Sequence, residues 1–407
     1  MELLGNIAWG LIAIVVLLGL AFLLSVDRKN INVRTVLGAL AIQIAIGLLF
    51  LGWGVGEEVL AVLSQFVTGI LGAADAGIDF LFGEDLMALN NGNTFFIHVL
   101  SVIIFFAALM GVLFYIGFMP WLIKILGGLI SKVLGTSKVE SIAATANIFV
   151  GITESPLTIK PYLNQMTRSE FFTVMTVGLG TVAGSVLGGL VAMGAPVDYL
   201  IVASFMAAPA GLVMAKMVIP ESEHSKTTDD VKLERDKDTR NVIDAAARGT
   251  TDGLRLALNV GAMVLAFVSL VELLDIGLGL ISQDLTIATI FGFVFSPLAF
   301  LIGVPWEQAT LVGQMIAEKT IINEFVGFGT LIEAMEAGAI TDPRTIAIAT
   351  FALCGFANIG TIAIMIGGLG ALVPERRQEI AQYGPRALIA AILGNLMNGA
   401  IAGMLIL

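Results

Sequence analysis

The feature that most constrains this chain is a series of long stretches without any aspartate, glutamate, lysine or arginine. They cover residues 7–24, 35–56, 86–123, 171–197, 256–271, 285–306, 345–374 and 387–407, with 199–215 slightly shorter. A helix needs about 20 apolar residues to cross roughly 30 Å of hydrocarbon, so most of these stretches are long enough to span a membrane. The pattern predicts an all-α integral membrane protein with about eight transmembrane helices.

Composition excludes several other classes of protein. Only 13% of the residues are charged, which is about half the fraction typical of soluble domains and excludes a water-soluble enzyme. Cys354 is the only cysteine, so there is no internal disulfide, and His98 and His224 are too few for a histidine metal site. The formal net charge of −11 is opposite to the basic surface that nucleic-acid binding requires.

Basic residues predict the orientation, because loops rich in lysine and arginine stay in the cytoplasm. Arg28, Lys29 and Arg34 follow the first span, which places the N-terminus outside, and tracing onward leads to an external C-terminus. Residues 57–83 are apolar but carry four acidic side chains, with Glu84 and Asp85 directly after them, and are predicted to lie along the membrane interface. Residues 221–240, with seven acidic and five basic side chains, are predicted to form a hydrated cytoplasmic linker.

Two apolar segments share a repeated sequence motif. Asn147-Ile148-Phe149-Val150-Gly151 matches Asn323-Glu324-Phe325-Val326-Gly327 at four of five positions, 176 residues apart. Downstream, Gly180-Thr181-Val182-Ala183 matches Gly360-Thr361-Ile362-Ala363. The orientation places the first segment on the cytoplasmic side and the second on the outer side, so the duplication is predicted to be inverted. Transporters with inverted repeats bind substrate and ion at the membrane midplane, on broken helices.

Glu154 and Glu324 are the most informative polar residues in these segments. A carboxylate at the centre of a spanning helix costs about 2.5–3.5 kcal/mol, so it is normally retained for an ion or substrate pathway. The alternative is a structural role, in which each glutamate caps a re-entrant helix or pairs with Lys160 or Lys319. Neutral polar side chains accompany them: Asn147, Thr153 and Ser155 in the first segment, and Asn323, Asn358 and Thr361 in the second.

These polar groups suggest two kinds of ligand. A carboxylate beside an amide suits a vicinal diol, and Phe356 offers an aromatic face to a planar base. Asn147 and Thr181, together with carbonyls freed where a helix breaks, suggest a cation site. The spacing of Gly180, Gly184 and Gly188 is more typical of close helix packing.

Three motifs resemble the concentrative nucleoside transporter family. They are Gly151-Ile152-Thr153-Glu154-Ser155-Pro156-Leu157, Lys319-x3-Asn323-Glu324-Phe325-Val326 and Cys354-Gly355-Phe356-Ala357-Asn358. The resemblance implies a homotrimer with eight membrane helices, interfacial helices and two oppositely oriented re-entrant helical hairpins. In such proteins a mobile transport domain moves against a trimerising scaffold.

The resemblance also divides the chain. It implies scaffold helices and an interfacial segment in 1–135, a first inverted repeat with its hairpin in 136–219 and a cytoplasmic linker in 220–254. Scaffold, interfacial and transmembrane helices follow in 255–306, and a second inverted repeat with its hairpin in 307–407.

Site residues follow from the same resemblance, position by position. Thr153 and Glu154 would contact the base, Ile152 and Val186 would wall it, and Phe356 would pack against it. Asn323 and Glu324, with Asn358 and Thr361, would form the ribose side. Sodium would sit on Asn147, Thr181 and the carbonyls of Val150 and Val182. Ile152 stands where many relatives carry glutamine, so base preference cannot be copied and leans toward purines.

The expected function is sodium-coupled secondary active import of nucleosides by alternating access, in a bacterial-type cytoplasmic membrane. The expected partners are the nucleoside, the lipid bilayer and two further copies of the chain, with no organic cofactor and no nucleic acid. Three alternatives stay open at this stage. The first is a proton symporter of the same fold with Glu154 or Glu324 as the proton carrier. The others are an intramembrane hydrolase using Ser155 or Thr153 as nucleophile, and a passive channel.

Overall fold

The structure is a computed structural model and describes residues 2–83, 95–227, 239–282 and 285–406. Throughout these ranges the regular secondary structure is helical, without a strand. A helix satisfies the backbone hydrogen bonds within its own segment, which is what an apolar run in lipid requires. The all-α prediction is confirmed.

The α-helices are numbered here in chain order within the described residues. They are α1 (Glu2–Leu24), α2 (Val33–Leu51), α3 (Gly54–Phe82), α4 (His98–Tyr115), α5 (Phe118–Leu134), α6 (Lys138–Ala146), α7 (Ser155–Thr158), α8 (Arg168–Gly180), α9 (Gly184–Met193), α10 (Val197–Val218), α11 (Val242–Gly279), α12 (Ile287–Leu301), α13 (Trp306–Ile321), α14 (Glu324–Glu336), α15 (Pro343–Leu353), α16 (Ile359–Leu372) and α17 (Arg377–Leu405). Short 3-10 turns occupy Arg28–Asn30, Lys160–Gln165 and Pro374–Arg376.

Eight helical segments in the described ranges are long and apolar enough to cross a membrane, as predicted. They are α1, α2, α3, α4, the broken helix α8–α9, α10, α11 and α17 with the turn before it. The set includes α3, whose predicted interfacial position stays a prediction. Glu84 and Asp85, predicted to continue that segment, and the start of the 86–123 stretch lie outside the described residues.

Besides 171–197, which contains the broken helix α8–α9, two more predicted spans are interrupted instead of continuous. The stretch 285–306 contains α12, whose 15 residues extend only about 22 Å, and α13 then leaves at an angle of 115°. Gly303, with φ of 107°, and Pro305 end that helix. The stretch 345–374 is divided into α15 and α16. A run without charges therefore predicted apolar length but not helix continuity.

The two halves contain the same order of elements, which supports the predicted duplication. Each has a hairpin (α6–α7, then α13–α14), a broken helix (α8–α9, then α15–α16) and a continuous helix (α10, then α17). The matched motifs are out of structural register, however. Asn147 follows the last residue of α6, whereas Asn323 precedes the first residue of α14. Glu154 and Glu324 are the structural equivalents, because each stands at the start of the second arm of its hairpin.

Helices α4 and α11 pack with their backbones in close contact. A Cβ atom added at Gly249 would lie 2.5 Å from the Ala107 carbonyl oxygen, and one at Gly253 would lie 2.7 Å from the Ala107 Cβ. Such approach requires glycine, as in the small-residue interfaces of membrane helices. Of the 38 residues of α11, only Ala245, Gly253 and Ala257 are buried. The α4–α11 pair is thus a tight unit whose outer face is covered by no other part of the described chain.

The three glycines spaced four residues apart make three different contacts instead of lining one helix interface. They are Gly180, Gly184 and Gly188. A Cβ at Gly188 would lie 2.8 Å from the Phe106 ring of α4, and one at Gly184 would lie 3.1 Å from the Phe149 carbonyl oxygen. At Gly180 it would only reach ordinary contact with Ala391. These contacts differ because the chain breaks between α8 and α9, at residues 181–183.

Candidate substrate and cation sites

The second hairpin buries Glu324 at a helix start. The first arm ends at Ile321, and the extended Asn323 caps the second arm by accepting a hydrogen bond from the Val326 backbone amide at 3.1 Å. Glu324 is then the first residue of α14, with 3% of its surface exposed. A carboxylate at a helix N-terminus is favoured by the helix dipole, which lowers the cost of burying it.

The break between α15 and α16 brings Asn358 to that glutamate. Asn358 caps α16, and its Oδ1 accepts from the Thr361 backbone amide at 2.8 Å and from the Thr361 hydroxyl at 2.9 Å. Its Nδ2 donates to Glu324 Oε2 at 3.4 Å. The structure therefore brings together three of the four residues predicted for the ribose side, Glu324, Asn358 and Thr361, while the fourth, Asn323, caps α14. Phe356, in the same break, is partly exposed.

The first hairpin has a different tip. Eight residues, 147–154, separate α6 from the four-residue helix α7, in which Pro156 occupies the first turn. Ile152 packs against α8, so that a Cβ at Gly178 would lie 2.7 Å from its Cγ1, and Thr153 lies against Gly368 of α16. Thr153 and Glu154 are exposed. Glu154 is therefore exposed at the surface of the chain, whereas Glu324 is enclosed.

The predicted base contacts are only partly assembled. Ile152, Thr153 and Glu154 are consecutive at the hairpin tip, but Val186 is completely buried within α9 and presents no exposed surface. No hydrogen bond among the described residues joins Glu154 directly to Glu324. Their elements are linked through the helix breaks, because the Phe356 amide donates to the Thr181 carbonyl at 3.1 Å.

The predicted cation ligands lie at two connected breaks. The Gly184 amide donates to the Phe149 carbonyl at 3.0 Å, which joins the tip of the first hairpin to the α8–α9 break. Asn147 is buried, and its Nδ2 donates to the Ala143 carbonyl at 3.0 Å, but its Oδ1 has no partner. The Thr181 hydroxyl is also buried and donates to the Val177 carbonyl at 2.9 Å.

These groups fit a hard monovalent cation. A buried oxygen without a donor is costly unless a ligand satisfies it, and Asn147 Oδ1 is such an oxygen. The set is neutral, made of amide, hydroxyl and backbone oxygens, and suits sodium better than a transition metal. In the part of the chain that the structure describes, no cluster of three or more histidine, cysteine or acidic side chains could hold a metal ion.

Asn395 is a buried polar residue near the site that the sequence did not predict. Asn395 of α17 is buried, and its Nδ2 donates to the carbonyls of Gly180 and Cys354 at 2.8 and 2.9 Å. Its Oδ1 accepts from Lys319 at 2.8 Å. A polar amide inside the apolar stretch 387–407 could have marked Asn395 as a candidate residue. Its partners could not be predicted from the sequence, because one of them lies more than 200 residues away.

Glu318 is a further carboxylate of the second hairpin that was not predicted. It accepts hydrogen bonds from the Thr330 hydroxyl at 2.6 Å and from Gln314 Nε2 at 2.7 Å. Thr330 lies on α14 and Glu318 on α13, so this contact ties the two arms together.

A separate cavity of about 240 Å³ lies between α4, α9 and α14. Its lining residues are Phe95, Val99, Met193, Gly329, Ile332, Glu333 and Glu336. None of the predicted site residues lines it. The cavity instead separates the second hairpin from α4, beside the edge-to-face contact of Phe95 and Phe325 at 5.6 Å.

Comparison with known proteins gives consistent matches over nearly the whole chain. Residues 12–85 and 199–403 match models of the Na+ dependent nucleoside transporter N-terminus and C-terminus, and 96–197 match a nucleoside recognition domain called Gate. The chain is 47% identical to the uncharacterized transporter YutK of Bacillus subtilis, over 98% of this chain and 100% of that protein. It is 42% identical to the nucleoside permease NupC of Helicobacter pylori, over 98% and 97%.

Solved structures agree. A structure of CNTnw in an inward-facing substrate-bound state matches with a TM-score of 0.95 at 46% identity, covering 98% of both chains. Structures of CNTnw variants in outward-facing and intermediate states match with TM-scores of 0.92 to 0.94. The relatives are transporters and permeases, so the hydrolase alternative is wrong. The chain is a multi-pass membrane protein of the concentrative, Na+ dependent nucleoside transporter family.

Proposed function

We propose that this protein imports nucleosides together with sodium across the cytoplasmic membrane by alternating access. The contact of buried Glu324 with Asn358, which also holds Thr361, carries the substrate part of the proposal. A carboxylate beside an amide can accept from and donate to two adjacent hydroxyls, as the ribose of a nucleoside offers. Glu154 and Thr153 at the exposed hairpin tip would contact the base, with Ile152 as an apolar wall.

Sodium binding would order the first hairpin. Asn147 and Val150 lie at the hairpin tip, while Thr181 and Val182 lie at the α8–α9 break, so one ion on these oxygens would fasten the two together. The residues that meet the base, 152–154, directly follow Val150 in the chain. Sodium and nucleoside should therefore each tighten the binding of the other. Inward movement of one positive charge gains about 2.3 kcal/mol per 100 mV of membrane potential.

The sodium requirement is tested in proteoliposomes. Replacement of sodium by choline should weaken nucleoside binding and abolish accumulation, because Asn147 Oδ1 then has no ligand. Uptake that continues in choline and collapses with a protonophore would assign coupling to protons instead. Nucleoside that only equilibrates, without accumulation against its gradient, would indicate a channel.

The ribose assignment is tested with Glu324→Gln. This variant should lose uptake and keep its fold, since an amide fills the same volume but is uncharged and has one acceptor oxygen where a carboxylate has two. Glu333→Gln is the matched control, because Glu333 lies on the same helix and is exposed. Normal uptake by Glu324→Gln would remove this residue from the substrate site.

We also propose a homotrimer with both termini outside the cell. The outer face of α11 is apolar and exposed, with Leu265, Leu273 and Ile276 more than half accessible, and the neighbouring subunits would cover part of it. Light scattering of the protein purified in detergent should give three copies of the 42.8 kDa chain. A monomer that transports nucleoside at the normal rate would contradict this assembly.

A further inference from the structure

A buried lysine lies where two broken helices end. Lys319, in the last turn of α13, has 1% of its surface exposed. Its Nζ donates to Asn395 Oδ1 at 2.8 Å and to the Ala352 carbonyl at 3.4 Å. It is assigned no contact with nucleoside or sodium in the function proposed above.

Asn395 extends this contact to a second helix. Its Nδ2 donates to the carbonyl of Gly180, the last residue of α8, and to that of Cys354, directly after α15. Lys319 and Asn395 together satisfy carbonyl groups at the C-terminal ends of α8 and α15. The last carbonyls of a helix have no partner within it, so each needs one from elsewhere.

Charge explains why a cation is suited to this point. Each helix C-terminus carries a partial charge of about −0.5, so two ends that meet carry about −1 together. One ammonium group balances them. Glu324 adds a further negative charge that attracts Lys319.

The two repeats differ in this respect. Residues 139–159, which include the break of the first hairpin, contain no lysine or arginine. That break offers the unpartnered Asn147 Oδ1, whereas the second repeat has the ammonium of Lys319 attached to the chain. The first repeat therefore needs a cation from solution and the second repeat already contains one.

We propose that Lys319 is a tethered cation that occupies, in the second repeat, the place of a second dissociable cation. Nucleoside binding then requires one exchangeable cation in the wild type and two when the charge of Lys319 is removed. This inference rests on the proposed function, because the exchangeable cation is the sodium ion placed on Asn147.

Lys319→Gln removes the charge and keeps a polar side chain. The glutamine is one atom shorter, which leaves room for a small cation beside Asn395 Oδ1 and the Ala352 carbonyl. We expect nucleoside affinity at limiting sodium to fall about tenfold or more, and the Hill coefficient for sodium to rise from about one toward two. Lys160→Gln, at an exposed lysine, is the control and should respond as the wild type does. Wild-type affinity and Hill coefficient in Lys319→Gln would overturn the proposal.

Thermal stability gives a readout that does not depend on transport. Lys319→Ala removes the ammonium and leaves room for methylammonium, which should raise the melting temperature of this variant and not of the wild type. Tetramethylammonium has no N–H group and should have no such effect. If the variant folds only when methylammonium is added during purification, that supports the proposal. No selective effect of methylammonium on stability or folding would overturn it.

A second variant tests whether Lys319 serves only as counter-ion for Glu324. In Lys319→Ala/Glu324→Gln the helix ends remain but the carboxylate charge is absent. Stabilisation by methylammonium should persist in this double variant. Its disappearance would show that Lys319 merely pairs with Glu324 and would overturn the tethered-cation role.

The two proposals can fail separately. A wild type without sodium-dependent nucleoside binding would overturn the proposed function and with it the prediction for the Hill coefficient. A wild type with sodium-dependent binding, beside a Lys319→Gln variant that behaves identically, would overturn the role of Lys319 alone.

Discussion

At the scale of single residues, a buried ion pair lies away from the candidate substrate site. Lys216 Nζ lies 2.6 Å from Glu140 Oε2, and their exposed fractions are 4% and 2%. Glu140 also accepts from the Ser137 amide in the capping box of α6, and Lys216 donates to the Ser169 hydroxyl at 3.0 Å. The pair therefore fixes the base of the first hairpin to α10 and to the start of α8.

Removal of one partner of this pair should be costly. Lys216→Met leaves the Glu140 carboxylate buried without its cation, and we expect the free energy of unfolding to fall by about 3–5 kcal/mol. Lys216→Met/Glu140→Gln removes both charges of the pair and should recover much of that loss. Unfolding of the purified variants in detergent measures both. Equal destabilisation of the single and double variants would show that the charge is not responsible.

Single residues also show what the sequence can predict. Glu324, Asn358 and Thr361 were identified because polar groups are conspicuous in apolar runs, and the structure brings these three together. Asn395 was equally conspicuous in its apolar run, but its role depends on carbonyls from two other helices. Such a role follows from tertiary structure and has no local signal.

At the scale of secondary-structure elements, the helix breaks meet one another and glycine sets how closely they approach. The tip of the first hairpin lies on α16, where a Cβ at Gly368 would be 2.7 Å from Thr153 Cγ2. The neighbouring Gly367 has open space around it. The side chain of Thr153 thus packs directly against the backbone of α16 at Gly368.

Gly368→Ala should displace the hairpin tip and reduce nucleoside uptake several-fold, since a contact shorter than 3 Å cannot persist and Thr153 is a proposed base contact. Gly368→Ala/Thr153→Ser removes the clashing methyl group, keeps the hydroxyl and should restore uptake. Gly367→Ala should leave uptake unchanged. A Gly368→Ala protein with full uptake would show that the hairpin tip does not rest on α16 during transport.

Elements also show where the sequence pattern misleads. The repeated motif Asn-x-Phe-Val-Gly predicted an inverted duplication, the family resemblance implied a hairpin in each copy, and the structure has a pair of helical arms at each motif. In the first, however, Asn147 directly follows an arm and eight residues separate the arms, whereas in the second Asn323 directly precedes an arm and two residues separate the arms. The identical residues bind different backbone groups, because Asn147 donates to Ala143 and Asn323 accepts from Val326.

At the scale of the whole molecule, the predicted division into domains stays a prediction, and helix packing suggests which parts could move together. Residues 1–135 were expected to form scaffold, but α2 packs on α17 through the hydrogen bond of Gln43 to Asn398 at 2.6 Å. A Cβ at Gly10 of α1 would lie 2.0 Å from Met404 of α17. These contacts favour movement of α1 and α2 with the repeats. The α4–α11 pair is the better candidate for the fixed body, and α9 is the element of the repeats that packs most closely on it.

Alternating access then requires α9 to move against α4, which a disulfide should prevent. A Cβ at Gly189 would lie 3.1 Å from Ile103 Cγ1, so the pair Gly189→Cys/Ile103→Cys is near the Cβ separation of about 3.5–4.5 Å that a disulfide needs. The native Cys354 is buried and should not interfere. Oxidation should stop uptake, while nucleoside still binds from one side of the membrane. Reduction of the disulfide with dithiothreitol should restore uptake. Each single variant should transport under oxidising conditions. If thiol titration shows that the protein is cross-linked and uptake is still complete, α4 and α9 move together during transport. The boundary between the moving and the fixed parts of the protein then lies elsewhere.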